Sequence, residues 1–562
     1  MRKGIILRSF IKSEGSFLKQ AFDKLTKAPH EAQERYLLQI LKKNRITEYG
    51  NKYNFTKIYN GKDYQKHVPI NKYQDLEPYI EKITPGGKNI LTAEMPFMFN
   101  LTSGTSDKPK FIPVTAITKK RTARLMRQWL YRSLLDHPTF LDKSNLTITS
   151  STVEGYTQSG IPYGSASGLI YKGLPGIMHG SYILPFIVSD IKNYDLRYYI
   201  MARLAFERDI SFIATPNPTT LIKLAEIGIQ YQEEIIRSIQ DGCLFAGLNF
   251  QINTDDSKIV SSLNASLKPN LARARYLDNV IQNNGRLLPY ACWPSLELIG
   301  CWLGGSIGCQ ADKLLPYYGN VPKRDIGYLA SEGCVTLPYE DFTPAGILAL
   351  QNNYYEFVPE EQASEPQPQV LLSHELEAGK YYKVILTNES GLYRYDINDT
   401  VKVEKFYNQT PVLAFVRKTN DVLNITGEKM HVNQLIMAFQ KIKSEFNISI
   451  NKFRVVSNSA QVRYDIFWGL DRDVPVELLQ NSVLPAIDSY LAEINIEYLQ
   501  KRKSKRLNPP CLHIMDLTWE ENVVKKLIES GKRDIQYKWQ FISSEFLEID
   551  REYVKYTITC PE

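Results

Sequence analysis

The chain has 562 residues, too many for one ordinary hydrophobic core, so two or three domains are expected. With 43% hydrophobic and 23% charged residues it has the composition of a folded globular protein, which excludes disorder throughout; 68 Lys and Arg against 61 Asp and Glu leave +7, too little over this length to specify a nucleic-acid binder. The seven cysteines (Cys243, Cys292, Cys301, Cys309, Cys334, Cys511 and Cys560) include no CxxC pair, which excludes the common zinc and redox motifs, and their odd number fits a reducing compartment.

The N-terminus starts basic, but its apolar run Ile5-Ile6-Leu7 stops at Arg8, too short for a signal peptide. Residues 16–45 carry apolar residues at three- and four-residue spacing and read as helices. A helix is expected from Thr115 to Leu135, and another from Thr219 to Gln240, ending before Gly242. Strand-like runs lie at 145–152, 210–216, 346–359, 381–388 and 411–418. The most apolar segment, 291–309, contains Pro294 and Glu297 and reads as buried core, not as a membrane span. Residues 359–369, rich in Pro, Glu and Gln, read as a surface loop. Helices and strands alternate over the first four hundred residues, so the fold class is α/β. After "FVRKTND" the units shorten: an amphipathic helix at 431–444, two strands with a turn at Asn458-Ser459, and a basic run at 501–506. A boundary at Arg417–Asp421 is expected, giving domains 1–417 and 418–562. The compartment expected for such a chain is the cytoplasm.

Four stretches carry candidate chemistry. In "TSGTSDKPK" (102–110), Gly104 permits a turn that brings backbone N–H groups to a ligand, Ser103, Thr105 and Ser106 add hydroxyls, and Lys108 and Lys110 add positive charge. Together they can surround a phosphate chain, although no Walker A pattern is present and the strand-like "KFIPVT" follows. Taken alone, the stretch reads equally well as a polar hairpin turn. In "GYLASEG" (327–333), Glu332 can hold Mg2+ between phosphates, since that ion takes oxygen ligands, Tyr328 can stack on an adenine, and Ser331 lies beside them. In "GLYRYDINDTVKV" (391–403), Asp399 at the end of a strand and turn can accept both hydroxyls of a ribose. In "DIQYKWQF" (534–541), Lys538 sits between aromatics near the C-terminus, where it can swing toward a site on the larger domain. Singly, the last three read as an ordinary loop, a hairpin and a surface lysine.

Their order along the chain resembles that of the acyl-adenylating superfamily of acyl-CoA ligases, luciferases and peptide-synthetase adenylation domains. The closer resemblance is to the auxin-responsive-promoter (Gretchen Hagen) family of acyl acid amido synthetases, and to its bacterial-type members. "TSGTSDKPKFIPVT" looks like that family's phosphate motif, "YLASEG" its tyrosine–acid motif and "YRYDINDTV" its ribose motif. Blocks at 44–55, 160–170, 288–306, 317–333 and 352–359 also look like family blocks, so the resemblance covers nearly the whole chain. There are two departures: Asn398 stands where the family usually has Gly, and "QYKWQF" lacks the Pro-Arg that usually follows the lysine.

The resemblance implies a large N-terminal α/β adenylate-forming domain with a smaller, mobile α+β C-terminal domain. It implies a ligase that uses ATP and Mg2+ to join a carboxylic acid to an amine or amino acid, with no nucleic-acid or membrane partner. By resemblance, Ser103, Gly104, Thr105, Ser106 and Lys110 hold the phosphates, with Ser331 in the same nucleotide site; Glu332 binds Mg2+, Asp399 the ribose and Tyr328 the adenine side. Arg417 sits at the hinge, and Lys538 bridges phosphate and attacking carboxylate. Residues 163–171 and the helix at 115–135, with Arg121, Arg124 and Arg127, would serve the acyl pocket; any one of these arginines also reads as part of a solvated basic face. Three alternatives stay open: an acyl-CoA or other thioester ligase, a family member that only binds ligand, and a nucleic-acid binder using the basic helix and 501–506.

Overall fold

A computed structural model describes residues 2–102, 110–150, 153–165, 168, 181–308, 310–363, 365, 367–418, 422–426, 428–529, 539–543 and 545–560. The chain divides into two compact units, Met1–Val416 and Arg417–Glu562. Among the described residues, no helix is long and apolar enough to cross a membrane.

The larger unit mixes a parallel and a mainly antiparallel sheet with helices. Its parallel sheet orders the strands Ser144–Thr147, Ile210–Ala214, Leu298–Gly300 and Lys323–Arg324. Ile210 through Ile213 are all buried, the continuous run expected of a parallel strand covered on both faces. A seven-stranded sheet orders Thr336–Pro338, Gly346–Leu348, Thr410–Lys418, Tyr395–Tyr407, Tyr381–Thr387, Tyr354–Pro359 and Leu371–Leu372. A third sheet pairs Met98–Thr102 antiparallel to Lys110–Val114 and parallel to Pro162–Gly164. Aromatic packing joins distant segments in the core: Tyr49 stacks on Tyr393 with ring centroids 4.7 Å apart, amid Tyr64, Phe99, Val335 and Leu392.

Two expected elements are divided. The helix expected over 219–240 is two, Pro218–Gln230 and Gln232–Asp241, because Tyr231 leaves helical geometry at φ −112°, ψ 30°. Its ring meets Tyr199 edge-on at 5.5 Å, a tertiary contact that local propensity does not encode. The second helix ends at Gly242, in left-handed geometry at φ 71°, where a Cβ would lie 2.3 Å from the Pro269 nitrogen. The run 346–359 is also two strands, Gly346–Leu348 and Tyr354–Pro359, which are not neighbours in the sheet. The intervening carbonyls of Leu350, Asn352 and Asn353 accept from Gln33 and Tyr36 of the helix Pro29–Asn44. The expected helix at 115–135 is Ala116–Asp136, with Thr115 as its cap.

The smaller unit is a five-stranded sheet, ordered Ile542–Ser543, Ile450–Asn458, Arg463–Leu470, Cys511–Met515 and Val554–Thr559, with the helix Val432–Phe446 contributing Leu435, Phe439 and Ile442 to its core. Asn458 pairs with Arg463, so the turn placed at Asn458-Ser459 is a four-residue loop, 459–462, in which Val462 has φ 49°.

Candidate active site

Strand Met98–Thr102 leads toward the hydroxyl-rich stretch, and strand Lys110–Val114 returns from it, with Thr102 opposite Lys110. Ser103, Gly104, Thr105 and Ser106 lie outside the described residues, as do Lys108, Lys538 and most of 163–171. Lys110 is half-buried, with its ammonium 5.3 Å from the centroid of the Tyr73 ring.

The parallel strand Lys323–Arg324 runs directly into Asp325, which is 3% exposed. Its carboxylate accepts the Leu303 and Gly327 N–H groups, each at 2.6 Å, and so ties the loop after strand Leu298–Gly300 to the tyrosine–acid segment. Burial pushes the Asp325 carboxyl up to about 7, against the lowering effect of these backbone donors. Gly327 has φ 102°, and a Cβ there would meet the Thr336 carbonyl at 2.8 Å, so the turn into Tyr328 requires glycine.

Tyr328 is the centre of the arrangement. Its N–H donates to Thr336 Oγ1 at 2.9 Å, its ring lies 5.2 Å from Phe415, and its hydroxyl donates to Asp399 Oδ2. Burial, and after it the charge of Asp399, hold the Tyr328 phenol well above its usual value, so the proton stays on tyrosine and Asp399 is the acceptor. Beyond Tyr328, strands Leu329–Ala330 and Gly333–Cys334 form a minimal hairpin with Ser331 and Glu332 as its loop. Asn100, in the strand paired with Lys110–Val114, donates to the Ser331 carbonyl at 2.9 Å, while Tyr328, three residues before Ser331, donates to Asp399. Lys110, Tyr328, Ser331, Glu332 and Asp399 are therefore brought into one region of the larger unit, although their segments are separated by up to 289 residues (399 − 110).

Asp399 does not stand at the end of a strand and turn. It lies inside the long strand Tyr395–Tyr407, where Asp396 faces Ile385 and Thr400 faces Lys383, so Ile397, Asn398 and Asp399 span a single opposing residue. Asn398 takes φ 58°, and its N–H donates to Asp396 Oδ1, which stands in a carboxylate paired with Lys383 at 2.7 Å. Asparagine is among the few non-glycine residues that enter left-handed geometry readily. The departure from the family's glycine therefore leaves the bulge formed and Asp399 presented. Asn398→Gly is expected to keep nucleotide affinity within about twofold. Asn398→Val, β-branched at positive φ, is expected to introduce roughly 1–3 kcal/mol of strain and weaken nucleotide binding about tenfold, read by calorimetric titration with an ATP analogue.

The other expected residues fall elsewhere. Arg417 begins the smaller unit; burial first, then its charge and that of Lys429, lower the pKa of His431 to about 4. Arg121 is engaged within the protein, donating to Glu389 at 3.2 Å and to the Gln351 carbonyl at 2.7 Å, while its guanidinium lies 4.5 Å from the Tyr36 ring centroid. Arg127 pairs with Glu14 at 3.1 Å, and Arg124 is exposed. Arg394, inside the ribose-like motif, is a buried structural residue paired with Glu356 at 3.0 Å. Among the described residues, one His/Cys/carboxylate cluster has the composition of a metal site: Asp465, Cys511 and His513. Its carboxylate is already bonded to Arg463 and Asn458, and burial raises the Cys511 thiol to about 11, so it suits a hard oxygen-seeking cation poorly.

Sequence reasoning passed over Asn100, Asp325, Thr336 and Asn388, which hold the motif loops in place. Asn100, three residues ahead of Ser103, and Asp325, two ahead of Gly327, had a positional signal.

Three family models match in chain order: the GH3 family N-terminal domain over residues 18–323, the central domain over 346–418 and the C-terminal domain over 431–545. A jasmonoyl–L-amino acid synthetase of Oryza sativa subsp. japonica is 27% identical over 552 residues, covering 92% of this chain and 93% of the relative. An indole-3-acetic acid-amido synthetase of Arabidopsis thaliana is 24% identical over 540 residues, covering 92% and 89%. The solved structure of the GH3.15 acyl acid amido synthetase superposes with a TM-score of 0.82 at 19% identity, covering 96% of each chain. A 2-hydroxyisobutyryl-CoA ligase in its postadenylation state gives 0.51 at 10% identity, covering 93% of this chain and 90% of that one.

The fold is thus that of the adenylate-forming ligases, with a large N-terminal and a smaller C-terminal part. Within that class the N-terminal model alone spans more than half of the chain, and the chain belongs to the GH3 family. It is an enzyme of the ligase class, an acyl acid amido synthetase by family.

Proposed function

We propose that this enzyme activates a carboxylic acid with ATP and transfers the acyl group to an amino acid. The acid's carboxylate oxygen attacks the α-phosphorus of ATP, the bond to the β-phosphate breaks and pyrophosphate leaves. The amine then attacks the acyl carbon of the adenylate, the bond to AMP breaks, and the amine releases its proton as the amide forms. Such transfers rest on positioning and charge stabilisation. The observation that carries the reading is the Tyr328–Asp399 hydrogen bond, which joins the tyrosine–acid and ribose-like segments beside the hairpin that bears the phosphate-like stretch.

In this reading Ser103, Gly104, Thr105, Ser106 and Lys110 cradle the phosphates, Ser331 lines the same site, Tyr328 lines the adenine pocket and Asp399 accepts the ribose hydroxyls. Mg2+ takes few protein oxygens and completes its octahedron with phosphates and water. Glu332, a half-buried carboxylate on a loop held from two sides, fits that role. The ion would supply charge neutralisation on the triphosphate. Arg417 as hinge residue and Lys538 as the bridge between phosphate and carboxylate rest on the family resemblance alone. So do the functional division into domains 1–417 and 418–562, the mobility of the latter, and the service of 163–171 to the acyl pocket. The bacterial-type assignment rests on the family resemblance alone, since the two relatives above are plant enzymes. A cytoplasmic location accords with six free cysteines among the described residues.

The test uses the purified whole chain with a panel of carboxylic acids. Acid-dependent ATP–pyrophosphate exchange is expected, followed by amide formation with amino acids and no thioester with coenzyme A. Thioester formation in place of amide would give the reaction to the CoA-ligase alternative. Exchange with none of the acids, together with salt-sensitive nucleic-acid binding, would support the basic-surface alternative.

A further inference from the structure

We infer that Asn100 and Asn388 are positioning residues: their side-chain amides grip the two consecutive carbonyls of the Ser331–Glu332 turn and set the direction in which Glu332 presents its carboxylate to a nucleotide-bound cation. The inference rests on the acyl-adenylating reading above. Asn100 Nδ2 donates to the Ser331 carbonyl at 2.9 Å, and Asn388 Nδ2 donates to the Glu332 carbonyl at 2.8 Å. The donors arrive from different sheets, Asn100 from strand Met98–Thr102 and Asn388 from the residue after strand Tyr381–Thr387.

The turn needs such help. Ala330 pairs with Gly333, so Ser331 and Glu332 are a two-residue hairpin loop between strands of two residues each. Two-residue hairpins are stable by themselves mainly in the primed turns, which require positive φ in the loop. Neither Ser331 nor Glu332 has a positive φ. The turn thus lacks the backbone twist that matches its strands, and the strands are too short to impose one. Two outside amides on adjacent carbonyls provide the constraint that the hairpin cannot.

Each asparagine shows a second feature. Asn388 is fully buried, and its Oδ1 accepts the Ser390 N–H at 2.9 Å and the Leu392 N–H at 3.4 Å. Its carbonyl oxygen therefore shapes its own turn, and its amino group is reserved for Glu332. Asn100 is 6% exposed, and its Oδ1 has no hydrogen-bond partner among the described residues. A buried acceptor left open in this way marks a place for a donor carried by a ligand or a water. Asn100 lies three residues before Ser103 on the strand leading to the phosphate-like stretch. The amide pair thus links that strand to the carboxylate on the facing turn.

The experiment measures Kd for a non-hydrolysable ATP analogue by calorimetry on the whole chain, with and without Mg2+, in wild type, Asn100→Ala, Asn388→Asp and Glu332→Gln. Asn388→Asp keeps the oxygen that accepts from Ser390 and Leu392 and turns the donor to Glu332 into a second acceptor. Its added negative charge would by itself favour a cation, so weakened binding reports the lost donor. The expected result is a Kd about tenfold higher in Mg2+ for Asn100→Ala and Asn388→Asp and within about twofold of wild type without the ion, with a lowered thermal midpoint for Asn388→Asp because it buries a carboxylate against the Glu332 carbonyl. Combining Asn388→Asp with Glu332→Gln should weaken binding no further than Glu332→Gln alone, because both act through one carboxylate. Wild-type affinity in both asparagine variants, or equal weakening with and without Mg2+, overturns the inference while the proposed function stands. No nucleotide binding by the wild type overturns both.

Discussion

Asp399→Asn is expected to lower kcat/KM for ATP in acid-dependent pyrophosphate exchange by about 10²- to 10³-fold, mostly through KM. Asp399 is 2% exposed, and the carboxylate accepts the Tyr328 hydroxyl. The amide has nearly the same shape, but one oxygen becomes a donor and the charge is gone. Either Nδ2 faces the phenol or it faces the ribose edge, and in both cases a hydroxyl that donated to a carboxylate loses that charge-assisted bond. Hydrogen bonds to charged groups are each worth about 1.5–3 kcal/mol, and loss of two at the lower part of that scale, about 3–4 kcal/mol, gives the expected range at about 1.4 kcal/mol per tenfold. Tyr328→Phe removes one partner and leaves the charge, so about a tenfold loss is expected. The double variant should fall short of the product of the two effects, because the residues share one bond. An unchanged KM for ATP in Asp399→Asn would remove Asp399 from the nucleotide site.

The site was legible in the sequence where chemistry and spacing coincide. Tyr328, Ser331 and Glu332 lie within five residues, and that local pattern survives in the structure as one short hairpin. Asp399 was also legible as a residue, but its setting was not. A strand followed by a turn and a strand broken by a bulge look alike until the register of Tyr381–Thr387 is known. The partners of the residues that fix the motif loops were not legible locally, since Asn100 reaches across 231 positions and Asn388 across 56. The same holds for Arg121, which reads as a solvated or substrate-facing cation until Glu389, 268 positions away, is placed beside it. The fold follows a similar division. Apolar periodicity located the helices and strands, whereas their interruptions at Tyr231 and at 350–353 depend on the Tyr199 ring and on Gln33 and Tyr36, which only packing brings near.

Glu332→Gln is expected to depress exchange by about 10²- to 10³-fold at a fixed, subsaturating Mg2+ concentration and to move half-saturation to higher Mg2+. The turn that bears Glu332 is held through its main-chain carbonyls, by Asn100 and Asn388, so a neutral side chain there leaves those bonds in place. Loss of structure is therefore not expected, and the thermal midpoint should stay within about a degree, as for a surface substitution of small effect. A hard divalent cation gains far more from an anionic carboxylate than from an amide oxygen, and that difference acts directly on the charge that develops as pyrophosphate departs. A fall in exchange that added Mg2+ partly restores, with folding unchanged, assigns the carboxylate to the ion. A wild-type rate and an unshifted Mg2+ curve would require a different ligand for the ion.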